Sequence, residues 1–232
     1  EITTPCGTIS QLPWQEQFST GIGECWYQML GEMSDTITHA SDLLQNNNGW
    51  KYNMYVGGER IYADLSYEYA KYWIISPSFD LGNGDTTYQL SADIFRTSLN
   101  GTGVAPMPNG DMFAILVSTD DGLTWNTANA LIFGSGETSN YDYNLSAFSP
   151  EASRVNFKLA DENDQPLIGA IRFAFYGEGS TSRMLVDNIE ISQWQPCQTP
   201  SMVNVANITS NSAELTFLDF GQSQQWEYAL QQ

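Results

Sequence analysis

Glu16 and Asp187 are the side chains whose type and setting first suggest chemistry. Each acid sits in a short, strand-like phrase: Glu16 in LPWQEQF beside Phe18, and Asp187 in MLVDNIEIS beside Val186 and Ile189. About 170 positions separate them. An acid inside an apolar strand is poorly solvated unless something pairs with it. With 8 Lys and Arg against 27 Asp and Glu, side-chain partners are scarce. If the first and last strands of a β-sandwich lie side by side, the two carboxylates can meet around a hard cation such as Ca2+. Backbone carbonyls and water would complete its roughly six to eight oxygens, and backbone donors are the alternative to a metal.

Catalytic constellations are missing. His39 stands beside Thr38 with no Ser, Cys or Asp at a triad-like spacing. The chain has no GxSxG, no HExxH and no P-loop, and three cysteines without a CxxC do not make a zinc site with one histidine. Any two of the many acids are a formal glycosidase pair, but nothing in the sequence selects one. The acidic turn Asp161-Glu162-Asn163-Asp164 lacks the EF-hand continuation and reads as a solvated loop. The chain is therefore expected not to be an enzyme.

Aromatic residues are the better hint of a ligand. Trp26, Tyr27, Trp50, Tyr52, Tyr55, Tyr62, Tyr67, Tyr69, Tyr72 and Trp73 crowd one stretch. Aromatic faces stack on the apolar faces of sugar rings. Packing inside a sandwich is the competing and more common use of such rings. Because 55–72 is loop-like, Tyr55, Tyr62, Tyr67 and Tyr69 are the ligand-contact candidates. Ser118-Thr119-Asp120-Asp121-Gly122-Leu123-Thr124-Trp125 matches the Asp-box pattern S-x-D-x-G-x-T-W. Repeated copies mark propellers. A lone copy reads as a hairpin stapled by its Asp, with Gly122 supplying a positive φ and Trp125 folded back on the strand.

The elements that must position these residues are nearly all strands. Windows rich in Val, Ile, Tyr, Phe and Trp cover Trp50 to Tyr55, Trp73 to Ser76, Tyr88 to Phe95 and Met112 to Ser118. They continue over Ala130 to Phe133, Arg154 to Leu159, Ile168 to Tyr176 and Ser182 to Ile191. Gly-, Asn- and Asp-rich turns separate them. The segment from Ile168 to Tyr176 is almost continuously apolar, as suits a central strand buried on both faces. Ser34 to Leu44 is the one helical candidate, and a short one. A linker, 193–200, follows the last window. The tail, 201–232, runs MVNVANITSNSAELTFLDF and resembles the first strands of a fibronectin type III domain.

Composition narrows the partners. A net charge of −19 with only 15% charged residues repels nucleic-acid phosphate and anionic lipid. No apolar run approaches the ~18 residues of a membrane span. Glu1 opens the chain without a basic start or an apolar stretch, which reads as a processed or internal piece of a longer protein. Cys6 and Cys25 lie 19 positions apart around the first strand phrase, and a bridge there is worth roughly 3 kcal/mol in the chain-entropy model. Three buried thiols are the alternative; with the bridge, Cys197 has no partner. Sequons at Asn100, Asn144 and Asn207 matter only in a host that glycosylates them.

Taken together, Leu12 to Phe18, Gly21-Ile22, Cys25-Trp26, Asn48-Gly49-Trp50, Tyr72 to Leu81 and Val186 to Ile191 resemble the successive phrases of the cleaved-adhesin, or choice-of-anchor-J, family. This is a MAM-like jelly roll of secreted and surface proteins of Bacteroidetes, including gingipain adhesin regions. The resemblance spans about 11–192. It implies calcium between first and last strands, carried here by Glu16 and Asp187. The acid-glycine run that gives some members a second calcium is missing at Met33-Ser34-Asp35-Thr36. The expectation is an all-β jelly-roll sandwich over 1–192 with part of a fibronectin-like domain after the linker. Its expected function is a secreted or cell-surface, non-enzymatic adhesion module for an extracellular glycan or protein, holding a structural Ca2+. The alternative is an accessory domain of a larger secreted protease or glycoside hydrolase, with a glycosidase as a third reading.

Overall fold

The computed structural model describes residues 6–53, 59–66, 70–99, 110–134, 143–144, 153–221 and 224–227. The chain supplies β1 (Trp14–Glu16), β2 (Tyr27–Leu30), β3 (Ile37–His39), β4 (Leu44–Gln45), β5 (Trp50–Asn53) and β6 (Arg60–Leu65). Next come β7 (Ala70–Ile75), β8 (Phe79–Asp80), β9 (Tyr88–Ser98), β10 (Met112–Ser118), β11 (Thr124–Asn126) and β12 (Ala130–Gly134). The last are β13 (Tyr143–Asn144), β14 (Ser153–Leu159), β15 (Ala170–Gly179), β16 (Ser182–Gln193), β17 (Ser201–Ala206) and β18 (Glu214–Leu218). These strands lie where β-branched and aromatic residues are dense. The short helix expected over Ser34 to Leu44 does not form; β3, a single 3-10 turn at Ala40–Asp42 and β4 occupy it instead. Its Thr, Ser and Asp residues favour turns and strand ends over a helix interior.

Two sheets pack face to face as a jelly-roll β-sandwich. One runs β14-β9-β16-β6-β5 with β1 beside β16; the other runs β13-β12-β10-β15-β7-β2-β4 with β8 beside β15. Alternate residues face inward: Leu90, Ala92 and Ile94 of β9, Met184, Val186, Ile189 and Ile191 of β16, and Ile171, Phe173 and Phe175 of β15. Their partners across β15, Ala174 and Tyr176, are buried on the other face with Trp73, Leu116 and Trp125. Thus β15 is covered on both sides, as its apolar text requires. Rings link the N-terminal segment to this core: Trp14 meets Phe79 at 4.7 Å, Phe79 meets Phe173 at 5.6 Å and Phe173 meets Trp26 at 5.7 Å. Cys6 and Cys25 are joined in a disulfide, and Cys197 is an exposed thiol.

A buried polar clasp ties one end of the sandwich. Arg96 of β9 is fully buried 3.9 Å from Asp111, which accepts from the Ser180 N–H at 3.1 Å and the Ser182 hydroxyl at 2.8 Å. Burial pushes the Asp111 carboxyl up and the Arg96 guanidinium down, each countered by the other's charge. Gly179 must lack a side chain here, since a Cβ would stand 2.5 Å from Asp111 Cγ. After the linker, β17 and β18 form an antiparallel hairpin, and Trp226 packs on Phe217 at 5.3 Å.

The Asp-box closes the turn between β10 and β11. Asp120 Oδ1 accepts from the Ser118 hydroxyl at 2.6 Å and the Thr124 N–H at 2.9 Å, and its Oδ2 accepts from the Thr124 hydroxyl at 2.6 Å. Ser118 Oγ in turn accepts from the Gly122 N–H at 2.8 Å. The turn lays β11 against β3 and buries Trp125 completely, 6.0 Å from Trp73, on the outer face of the larger sheet. Partial burial raises the Asp120 carboxyl, but the hydrogen bonds outweigh it and hold the group below its usual range. Its contribution to stability is therefore present above the unfolded-state pKa and is lost as pH falls through the lower folded value. Asp120→Ala is expected to cost about 1–2 kcal/mol near neutrality, read by urea unfolding, with the gap to the parent closing in acid. A gap that stays constant into acid would contradict this role.

Candidate functional site

The first and last strands of the sandwich do lie side by side. β1 pairs antiparallel with β16, placing Trp14 opposite Ile191 and Glu16 opposite Ile189. On the same edge of β16, β6 pairs with Ser182 through Val186. Where β1 and β6 meet, the β9–β16 register shifts between Asp187 and Glu190, and Asn188 takes a φ of 46°. This bulge lets Val186 and Ile189, three positions apart, both face the core.

The bulge also decides where the two acids go. Glu16 shares a sheet face with Ile189 and Trp14, the core side, and its Oε1 accepts the Phe18 N–H at 2.7 Å. Asp187 is opposite Asp93, whose neighbours Ala92 and Ile94 are core, so Asp187 belongs to the outer face. Its Oδ1 accepts the Asn188 N–H at 2.7 Å. Burial pushes the Asp187 carboxyl up; the Asn188 N–H and the Arg60 charge act against this, and Asp93 adds to it. The two carboxylates thus occupy one strand junction but opposite faces of the sheet, each with a backbone donor. Among the described residues no group of three or more acids, His or Cys is placed to hold a metal. This donor set does not fit one Ca2+ shared by Glu16 and Asp187.

Ion pairs tie the outer side of that junction together. Arg154 of β14 reaches Asp93 at 3.3 Å, Glu190 at 3.0 Å and the Asn188 carbonyl at 2.5 Å, and Asn188 Nδ2 donates to Asp93 at 2.8 Å. Further along the same face, Tyr62, Phe95 and Leu185 form a small buried cluster. Arg183 stands 4.8 Å over the Tyr62 ring and bonds Asp64 at 2.6 Å; Arg60 stands 4.2 Å over Phe95. Tyr62 is only 7% exposed, so it is not the open stacking ring expected from the sequence. Tyr55, Tyr67 and Tyr69 lie outside the described residues. Of the other rings in that stretch, Trp26, Trp50 and Trp73 are core and Tyr27 is exposed.

The opposite end of this face opens into a groove of about 1070 Å³ between the sheet and the linker. Gln89, Ser91, Arg154, Asn156, Glu190 and Ser192 line it from the sheet, and Gln193, Gln195, Gln198 and Thr199 from the linker, with Pro13 and Tyr88 at its wall. On the sheet side Gln89, Ser91 and Asn156 are buried and bonded to one another. Gln198 Nε2 donates to Gln89 Oε1 at 2.7 Å, Gln89 Nε2 to Ser91 Oγ at 3.2 Å, and the Ser91 hydroxyl to Asn156 Oδ1 at 2.6 Å. Glu190 is the one carboxylate lining the groove, and Arg154 holds it. An acid–base pair for glycoside hydrolysis needs two carboxyls roughly 5–9.5 Å apart; the acid brought beside Glu190 is Asp93, which lies outside the lining and is held by the same Arg154 guanidinium. Sequence reasoning missed the groove because amides spread over β9, β14 and the linker carry no motif; the alternating polar text of Gln89-Leu90-Ser91 was the available signal.

No protein-family model matches the chain, and no curated protein matches it. Solved structures of similar architecture include the K1 cleaved adhesin domain of Lys-gingipain from Porphyromonas gingivalis W83. It is 16% identical and aligns over 80% of this chain and 100% of its own, with a TM-score of 0.45. A carbohydrate-binding module specific for non-crystalline cellulose, CBM28, is 13% identical over 82% of this chain and 99% of its own, at 0.44. The module TmCBM61, solved with β-1,4-galactotriose, is 11% identical over 77% and 94%, at 0.42. The likeness is one of fold.

Because the junction is held by ion pairs and backbone donors, EDTA is expected to leave the thermal midpoint unchanged within error. A fall on chelation that Ca2+ reverses would place an ion at this junction after all.

Proposed function

We propose that this chain is a non-catalytic extracellular binding module that takes a neutral, hydroxyl-rich glycan into the groove between the six-stranded sheet and the linker. The observation that carries this is the groove's lining. Exposed Gln193, Gln195 and Thr199 and half-buried Gln198, resting on a buried chain of Gln89, Ser91 and Asn156, offer donors and acceptors of the kind sugar hydroxyls need. The strongly acidic chain disfavours polyanionic ligands. Glu190 and the neighbouring Asp93 are both held by the Arg154 guanidinium rather than left to act as acid and base, which supports binding over hydrolysis. The disulfide supports an oxidising, extracellular setting. The β1–β16 pairing, together with the successive sequence phrases, supports a cleaved-adhesin type of module. The C-terminal hairpin is read as the opening strands of a fibronectin-like domain.

Affinity electrophoresis and calorimetry against soluble cellulose, xylan and galactan derivatives, with polygalacturonate as the anionic control, test this reading. The parent is expected to bind at least one neutral polymer, and Gln195→Ala and Gln198→Ala, on the exposed linker side of the groove, to weaken it about tenfold while the thermal midpoint stays near the parent's. Binding indifferent to both substitutions, or release of reducing ends, would overturn the proposal.

A further inference from the structure

The Asp-box, a motif that the groove does not use, presses on a second site. Immediately after Asp120, Asp121 adopts a φ of 56° and turns its carbonyl and carboxylate toward Arg172 of β15. Arg172 Nε donates to the Asp121 carbonyl at 3.1 Å and to Asp121 Oδ1 at 2.9 Å, and its Nη1 donates to the Ser76 carbonyl at 2.8 Å. A Cβ on Gly122 would stand 2.9 Å from Arg172 Cδ, so the turn closes directly over this side chain. Held at three points, the guanidinium lies 5.4 Å from the centre of the Tyr27 ring.

Tyr27 is the unusual member of this set. It is 45% exposed while Trp26 before it is in the core. Its strand partner is Ile75, of the outer-face cluster, so Tyr27 sits on the outer face of the larger sheet. It lines a pocket of about 590 Å³ with Glu24, Gln28, Gln45 and Asn47. On the ring's own face the pocket adds the Gln45 amide, opposite Met29, with Asn47 and Glu24 at its rim, whereas Gln28 points the other way and accepts the Trp50 N–H at 2.8 Å. A pinned guanidinium lowers the entropy lost when the ring is used as a platform. An exposed ring fixed in this way, beside the exposed Gln45 and Asn47 amides, matches what stacking on a sugar requires.

We infer that Tyr27 is the stacking platform of a second, smaller sugar-binding site on the larger sheet, and that the Asp-box positions it through Arg172. Tyr27 touches the sugar; Arg172 and Asp121 are positioning residues. The choice of a sugar rests on the glycan-binding reading above, but the site is separate from the groove, which lies on the other sheet. Two sites on opposite sheets let one copy of the chain bridge two glycan strands, with the gain in avidity that linked sites bring.

The test is titration of the whole chain with cellohexaose, xylohexaose and β-1,4-galactotriose, followed by calorimetry and by the ring signals of 13C-labelled tyrosine. The Tyr27 ring signal, assigned by its loss in Tyr27→Phe, is expected to shift with ligand. Tyr27→Ala should remove that class of sites and lower the stoichiometry by one. Tyr27→Phe should retain binding, and Arg172→Met should weaken it about three- to tenfold without abolishing it. Gln198→Ala should leave this class intact. Binding that Gln198→Ala impairs and Tyr27→Ala leaves untouched would overturn the second site while keeping the groove. A parent that binds none of these sugars would overturn both. A Tyr27→Ala variant with parental stoichiometry but a lowered thermal midpoint would assign the ring a packing role only.

Discussion

β16 has to satisfy three strands with two edges, and the rest of the sandwich follows from how it does so. β9 runs along one edge for the whole length of β16. The other edge is divided, β6 taking Ser182 to Val186 and β1 taking Ile189 to Ile191. The change of neighbour coincides with the bulge at Asp187 and Asn188. Without an extra residue there, the two-residue period would turn Ile189 and Ile191 out of the core and Glu190 into it. With it, four apolar side chains of β16 stay inside and the N-terminal strand is zipped to the last long one. The same bulge turns the Asn188 carbonyl toward Arg154, which is how a strand defect becomes part of an outer-face ion-pair network.

This constraint also separates the two halves of the molecule's surface. The six-stranded sheet carries its polar side chains outward, from the Arg60 and Arg183 cation–π contacts at one end to the amide chain at the other. The larger sheet is treated differently. Much of its outer face is roofed by the Asp-box hairpin and by Met33 and Leu43, leaving Tyr27 near the edge strand in contact with solvent. One sheet therefore offers a groove and the other a ring platform, and each is ordered before any ligand arrives.

The strand text of β10, β14, β15 and β16 was readable because burial on one or both faces leaves a period of two or an unbroken apolar run. The adjacency of first and last strands was also visible, through the family-like phrases that contain them. Side-chain direction was not. Glu16 and Asp187 look equivalent as acids in apolar phrases, and only the bulge at Asn188 puts them on opposite faces; a positive φ at a lone Asn leaves no distinctive mark in the sequence. Tyr62 looked exposed because it neighbours loop-like text, yet Arg183 covers its ring. Ser34 to Leu44, the short helical candidate, instead forms β3, a 3-10 turn and β4, because its Thr, Ser and Asp residues favour turns and strand ends. The Asp-box was legible as a staple, while its hold on Tyr27 depends on Arg172, 51 positions from Asp121.

The central claim is that the polar outer face of the six-stranded sheet is a binding surface. Backbone amide shift mapping of the labelled chain with a neutral hexasaccharide tests it most directly. The account predicts that the perturbed amides cluster at Gln89, Ser91, Asn156, Glu190 and Gln198. Perturbations confined to the C-terminal hairpin, or none on this sheet at saturating sugar, would contradict it.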